Sequence, residues 1–105
     1  MFTVIETPTF SKLCTDYWTE DERGAFAAWI AVNPEAGDVI PGSGGCRKVR
    51  WSRAGMGKRG GVRVIHYNRL ANGSIYLLLI YAKGAQENIS PRILLKIKEA
   101  LNAHE

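Results

Sequence analysis

The sequence predicts a single α+β domain, in which two N-terminal helices and one C-terminal helix pack on a mainly antiparallel sheet. Apolar residues recur at helical spacing before residue 34 and again after residue 90. Between these segments, strand-like runs alternate with glycine-containing turns. The chain of 105 residues allows one hydrophobic core, so we expect one domain over 1–105. The predicted element order is β-α-α-β-β-β-α.

The first third of the chain is predicted to form a strand and then a helical hairpin. Phe2–Ile5 is a short β-prone run. Thr7-Pro8 begins a helix, because threonine caps well and proline suits the first helical position. A second helix begins at Thr19, which forms a capping box with Glu22, and ends at Asn33-Pro34. The first helix is expected to bury one stripe, Phe10, Leu13, Cys14 and Tyr17. In the second helix Phe26, Trp29, Ile30 and Asn33 lie on one face.

The middle of the chain is predicted to supply the sheet. Gly37–Gly45 is rich in glycine and is expected to be a loop. Strands are predicted over Cys46–Ser52, Val62–Tyr67 and Ile75–Tyr81, with a tight turn at Asn72-Gly73. The last of these strands is apolar on both faces, so it should lie centrally. In the first of them, alternation places Arg47, Val49 and Trp51 on one face and Cys46, Lys48 and Arg50 on the other.

The C-terminal helix is predicted from a cap and a stripe. Ser90-Pro91 is a favourable helix start. Leu94, Ile97 and Leu101 follow at helical spacing and should face the core.

Charge is segregated along the chain. Residues 1–38 contain seven acids and two bases, a net charge of −5. Residues 39–86 contain nine Lys or Arg and no acid. Such a basic sheet segment is typical of a surface that contacts a polyanion such as nucleic acid. The alternative, that the charge serves only solubility, is less consistent with this segregation.

Composition argues against a secreted or membrane protein. The apolar runs are all shorter than the about 18 residues needed to span a bilayer. We expect no signal peptide, and we expect Cys14 and Cys46 to be free thiols in a reducing cytosol. The predicted location is the cytoplasm.

Several familiar sites are excluded by spacing. Gly55-x-Gly57-x-x-Gly60 resembles a dinucleotide fingerprint, but a strand follows it instead of the required helix. A Walker loop is excluded because Lys58 is followed by Arg59. His66 and His104 lack metal-ligand spacing, so no metal and no other cofactor is expected. His66, within a strand, is predicted to be packed or hydrogen-bonded and not catalytic.

The remaining chemistry is that of Lys and Arg. RNA can be cleaved without a metal when the ribose 2′-OH attacks its own phosphate. Clustered cations stabilise the charge that develops on phosphorus, and a lysine with a depressed pKa can move protons. Trp51, Tyr67 and Tyr81 could stack on exposed bases, with ordinary core packing as the alternative.

Three segments together resemble the HigB-like branch of the RelE/ParE superfamily of toxins: Gly37–Arg50, Gly57–Tyr67 and Tyr76–Lys83. The resemblance covers about Val4 to Leu101. It implies a compact RelE-like fold and a type II toxin–antitoxin system. The implied activity is that of a metal-independent, ribosome-dependent endoribonuclease that cleaves mRNA in the ribosomal A site. The implied partners are mRNA, the ribosome and a cognate antitoxin, expected to be a HigA-like helix-turn-helix protein.

The resemblance also assigns residues. Better-known RelE members carry a tyrosine shortly after the last strand, and Ala85–Ser90 has no aromatic residue here, so the proton donor stays unassigned. The candidate catalytic residues are Lys58, Arg59, Arg63 and Lys83, and the candidate RNA-binding residues are Arg47, Lys48, Arg50, Arg53 and Tyr81.

Two other functions are considered. One is inhibition of DNA gyrase, as in the ParE branch, which does not need the cationic catalytic set. The other is a non-catalytic RNA-binding module. Cleavage of mRNA would distinguish the endoribonuclease from both of these alternatives.

Overall fold

The computed structural model describes residues 1–52, 61–82, 84 and 89–103. Within them lie three α-helices and one five-stranded sheet with strand order β1-β5-β4-β3-β2. All neighbouring strands are antiparallel except β1 and β5. The predicted α+β class and mainly antiparallel sheet are confirmed. The elements are β1 (Thr3–Glu6), α1 (Pro8–Cys14), α2 (Glu20–Ala31), β2 (Asp38–Val39), β3 (Arg47–Trp51), β4 (Val62–Arg69), a 3₁₀ turn (Leu70–Asn72), β5 (Ser74–Ala82) and α3 (Pro91–Ala103).

The observed order contains one strand that the sequence did not predict. β2 has two residues and lies in the segment expected to be a loop. It exists because Asp38 pairs with Lys48 and Val39 with Arg47. A strand so short carries no periodicity of its own, so only its partner in β3 defines it.

β5 occupies the interior of the sheet, as its apolar sequence predicted. It pairs with β1 on one side and β4 on the other. The β4–β5 register steps from Ile65–Leu79 to His66–Leu77, which leaves Leu78 as an extra residue in β5. The bulge interrupts the strand's alternation: Leu78 and Leu79, neighbours in sequence, both pack in one core, whereas Leu77 and Ile80 pack in the other. The Leu77 carbonyl accepts hydrogen bonds from the Thr7 backbone N–H (3.1 Å) and hydroxyl (3.0 Å), which attaches the start of α1 to the bulge.

One face of the sheet packs on α1 and α2. Thr7 caps α1, and Thr19 forms the predicted capping box with Glu22, at 3.2 and 2.8 Å. Arg23 of α2 binds the Glu6 carboxylate at the end of β1, and this contact holds the pKa of Glu6 below its usual value. The core of this helix-pair face consists of Phe10, Cys14, Trp18, Phe26, Ile30, Val49, Val62, Val64, Ile75, Leu77 and Ile80.

The opposite face packs on α3, and we call it the α3 face. Its core contains Cys46, Ile65, Leu78, Tyr81 and Leu94. At the far end of α3, Arg69 donates to the Asn102 side chain (2.7 and 3.2 Å) and to the Tyr76 hydroxyl (2.9 Å). These bonds fasten α3 to the end of β4.

Both cysteines are free, as predicted, and both are buried. No helix among the described residues is long and apolar enough to cross a membrane.

The close approach of Gly37 to β3 generates a stability prediction. Gly37 has φ +87°, and a Cβ there would lie 2.5 Å from the Lys48 carbonyl oxygen. Because backbone cannot move aside as a side chain can, Gly37→Ala should lower the free energy of unfolding by about 2–4 kcal/mol. Urea unfolding followed by circular dichroism measures this.

Gly24→Ala is the matched control. A Cβ at Gly24, inside α2, meets nothing within 4 Å. Alanine is the better helix former, so this change should stabilise by about 0.5–1 kcal/mol. Equal effects of the two substitutions would contradict the assigned close approach.

Candidate nucleic-acid interface

The register of three strands brings two arginines together on the α3 face. Arg50 of β3 pairs with Arg63 of β4, which pairs with Tyr81 of β5. Directly opposite residues share a face, and their Cα atoms lie about 4.5–5.5 Å apart. Arg50, Arg63 and Tyr81 therefore form one row across the sheet, which we call the Arg50 row. Lys48 lies in the next row, with Ile65 and Leu79.

Two of the cations on the α3 face are only partly covered, and one is exposed. Leu94 of α3 packs in one core with Ile65 and Tyr81, so the helix covers the apolar part of this face. Arg50 is exposed, and Lys48 and Arg63 are half-buried. The start of α3, at Pro91, borders an open cleft beside Lys48.

Among the residues that the structure describes, no acid forms an ion pair with the cations of this surface. Among the described residues, ion pairs within 4.0 Å join only Arg23 to Glu6 and Glu20. Asp38 lies opposite Lys48 in the sheet but does not form such a pair with it. Unpaired cations converging on one surface create a positive potential that attracts anions.

The end of β3, the start of β4 and the end of β5 lie together beside the Arg50 row. Trp51 pairs with Val62, and Val62 pairs with Ala82. The described chain therefore reaches Ser52, Gly61 and Ala82 at one end of the sheet.

Four predicted site residues follow or precede these ends in sequence. Arg53, Lys58, Arg59 and Lys83 lie outside the described residues. The assignment of Lys58, Arg59, Arg63 and Lys83 as the catalytic set stays a prediction.

Arg47 is turned to the other face and serves a structural contact. Its Nη1 donates to the carbonyls of Glu35 (3.0 Å) and Gly37 (3.1 Å). These bonds hold the segment after α2 against the sheet. The predicted RNA contact of Arg47 stays a prediction, and it would have to use the remaining donors of the guanidinium.

The aromatic candidates differ in exposure. Tyr81 is only 7% exposed and packs in the core of the α3 face, so little of its ring is open for stacking. Trp51 packs on Phe26 and Trp29, with ring centroids 5.1 and 5.0 Å apart, as the core-packing alternative expected. Tyr67 has the Lys98 ammonium 5.5 Å from its ring centroid.

Sequence reasoning missed a structural role for Arg69. It counted among the nine bases of the middle segment, yet it is 8% exposed and binds Asn102 and Tyr76. Its partners lie 7 and 33 residues away, so no local signal identifies them.

His66 is packed and hydrogen-bonded, as predicted. The ring is fully buried; its Nε2 lies 3.0 Å from the Ala36 carbonyl oxygen and its Nδ1 lies 2.9 Å from Asn68 Oδ1. Asn68 in turn donates to the Pro34 carbonyl. Burial lowers the pKa of His66 from its ordinary value of 6.5, and it outweighs the two hydrogen bonds, which favour the charged ring.

Comparison with models of known protein families finds no match to this chain. Within the described ranges, no group of three or more His, Cys, Asp or Glu residues could hold a metal ion.

The lowered pKa of His66 predicts a pH-dependent stability. The unfolded chain takes up a proton near pH 6.5, whereas the folded chain takes it up only at lower pH. Between these values the unfolded state binds more protons, so the free energy of unfolding should fall as the pH falls, by up to about 1.4 kcal/mol per pH unit. Urea unfolding from about pH 7.5 to 5.5 measures the slope.

Two substitutions test whether His66 causes the change of unfolding free energy with pH. His66→Gln should remove most of it, whereas His104→Gln should leave it intact because His104 is the only other histidine and lies at the C-terminus. A slope that persists in His66→Gln would show that another group causes it.

Proposed function

We propose that this protein is the toxin of a type II toxin–antitoxin system, of the HigB-like branch of the RelE/ParE superfamily. It acts as a metal-independent, ribosome-dependent endoribonuclease that cleaves mRNA. The observation that carries the proposal is the pairing of Arg50 and Arg63 on one open face, next to Lys48, without a neutralising carboxylate among the described residues. The three motif segments that resemble the family support it.

The proposed reaction needs only the RNA and cationic side chains. The ribose 2′-oxygen attacks the adjacent phosphorus, the P–O5′ bond breaks, and the products are a 2′,3′-cyclic phosphate and a 5′-hydroxyl end. The 2′-OH loses one proton, and the leaving 5′-oxygen gains one. Arg63 holds the phosphate and stabilises its added charge, as a fixed donor that requires no reorganisation.

Further cations complete the proposed site. Lys58, Arg59 and Lys83 are its other catalytic members, by the resemblance of their segments to the family. The ribosome supplies the positioning that a small open face lacks, so naked RNA should be a poor substrate.

The proposed antitoxin binds the same cationic side chains as the RNA. An acidic segment of the antitoxin would compete with RNA for the exposed cations, since complementary potentials favour that contact. A HigA-like helix-turn-helix protein is the proposed partner.

Substitution of Arg63 tests the nuclease. Arg63→Ala, expressed in bacteria without antitoxin, should restore growth and reduce mRNA cleavage at least about 100-fold, since that is the usual loss when one fixed donor is removed. Primer extension on transcripts after a pulse of expression measures the cleavage. Lys58→Ala should act in the same direction.

Lys12→Ala is the control for loss of one positive charge. Lys12 is exposed on α1, which packs on the opposite face of the sheet. This variant should remain toxic, and circular dichroism should show that all variants fold.

Intact transcripts in cells that express the wild type would reject the nuclease. DNA damage without cleavage would instead favour gyrase inhibition, and a translation block without cleavage would favour a non-catalytic RNA-binding module.

Salt dependence tests whether Arg50 contacts a phosphate. Arg50 is exposed and has no acidic partner among the described residues. If it neutralises one RNA phosphate, Arg50→Ala should reduce the slope of log affinity against log salt by about 0.7–0.9. Titration of ribosomes with labelled protein over about 50–200 mM salt measures the slope. Lys12→Ala should keep the wild-type slope, and an unchanged slope in Arg50→Ala would remove Arg50 from the interface.

A further inference from the structure

We infer that the cleft between the start of α3 and the sheet is a subsite for one guanine base of the bound RNA. The inference rests on the proposed function and adds a base preference to it. The cleft has a volume of about 300 Å³ and is lined by Ile40, Lys48, Ile65, Tyr81, Ile89 and Ser90.

The size and walls of the cleft suit a single base. Its volume is at the lower end of the range of ligand pockets, about 300–1,000 Å³. Ile40 and Ile89, which are half-buried, supply apolar surface for the faces of a heterocycle, above the fully buried Ile65. A purine fills such a space better and buries more apolar area than a pyrimidine, which favours purines.

The polar groups of the cleft favour guanine over adenine. The Lys48 ammonium can only donate hydrogen bonds. Guanine presents two acceptors on one edge, O6 and N7, whereas adenine presents N7 beside an amino group that also donates. The Ser90 hydroxyl can donate or accept, and it makes no hydrogen bond among the described residues, so it is open to a ligand.

The position of the cleft connects it to the proposed reaction site. Lys48 and Arg50 are two residues apart on one strand and share a face, which separates their rows by about 7 Å. Tyr81 belongs to the Arg50 row and also lines the cleft. A nucleotide whose phosphate contacts Arg63 can therefore place its own base, or an adjacent one, in the cleft. The surrounding cations attract the phosphates of the same strand.

Mononucleotide binding tests the subsite without any cleavage. Full-length protein with labelled isoleucine methyl groups is titrated with guanosine, adenosine and uridine 5′-monophosphates and followed by NMR. Guanosine monophosphate should shift the methyl signals of Ile40, Ile65 and Ile89, and it should bind at least about fivefold more tightly than the other two. Ile5 and Ile30 lie outside the cleft and serve as internal references.

Three variants define the contacts. Ile89→Trp fills the cleft and should abolish the guanosine shifts, whereas Ile93→Trp should preserve them, because Ile93 is 54% exposed and does not line the cleft. Lys48→Met keeps an apolar stem but removes the ammonium, so it should bring the affinities for guanosine and adenosine monophosphates within about twofold of each other.

The outcomes test the guanine subsite independently of the proposed nuclease activity. Guanosine-specific methyl shifts that Ile89→Trp removes would support the subsite even if the wild type cleaved no mRNA. Equal binding of all three nucleotides, shifts that persist in Ile89→Trp, or no shifts at the cleft would overturn it, even if the wild type cleaved mRNA.

Discussion

The antiparallel register of β3, β4 and β5 is the constraint on which the proposed site depends. Arg50 and Arg63 share a face only because Val49 pairs with Val64 and Trp51 with Val62. A slip of one residue would turn every side chain of a strand to the other face. The valines prevent it, because they are buried against the helix pair, where a charged side chain would be left without water or partner. Packing on one face of the sheet thus determines which cations appear on the other.

The two faces of the sheet are covered by different elements. The helix-pair face is closed by an aromatic cluster in which Trp18 and Trp51 both contact Phe26, and it carries the acidic start of α2. The α3 face packs on α3, which is anchored by Arg69 and its apolar stripe and begins at Pro91, beside the cleft. On the same face Arg50 is exposed. An open cationic surface next to a bounded apolar cleft is the consequence.

Basic residues in this chain are not equivalent, and their surroundings separate them. Arg69 is buried and fastens α3, and Arg47 holds the segment after α2. Arg50 is exposed, and Arg63 is half-buried, without an acidic partner among the described residues. A count of bases in the sequence measures the total potential, but the hydrogen bonds of each guanidinium decide whether it serves the fold or is open to a ligand.

Local sequence determined the helices, the caps of α1 and α2, the interior position of β5 and the alternation of β3, because each follows from residues a few positions apart. It also predicted that His66 is packed, although the Ala36 partner of the ring lies 30 residues away. Tertiary structure decided the two-residue strand β2, the parallel pairing of β1 with β5, the bulge at Leu78 and the partners of Arg47 and Arg69. It also decided that Tyr81 is buried and that a cleft forms beside Lys48. These features join residues distant along the chain, and their energies depend on how whole faces pack, so no short pattern of residue types encodes them.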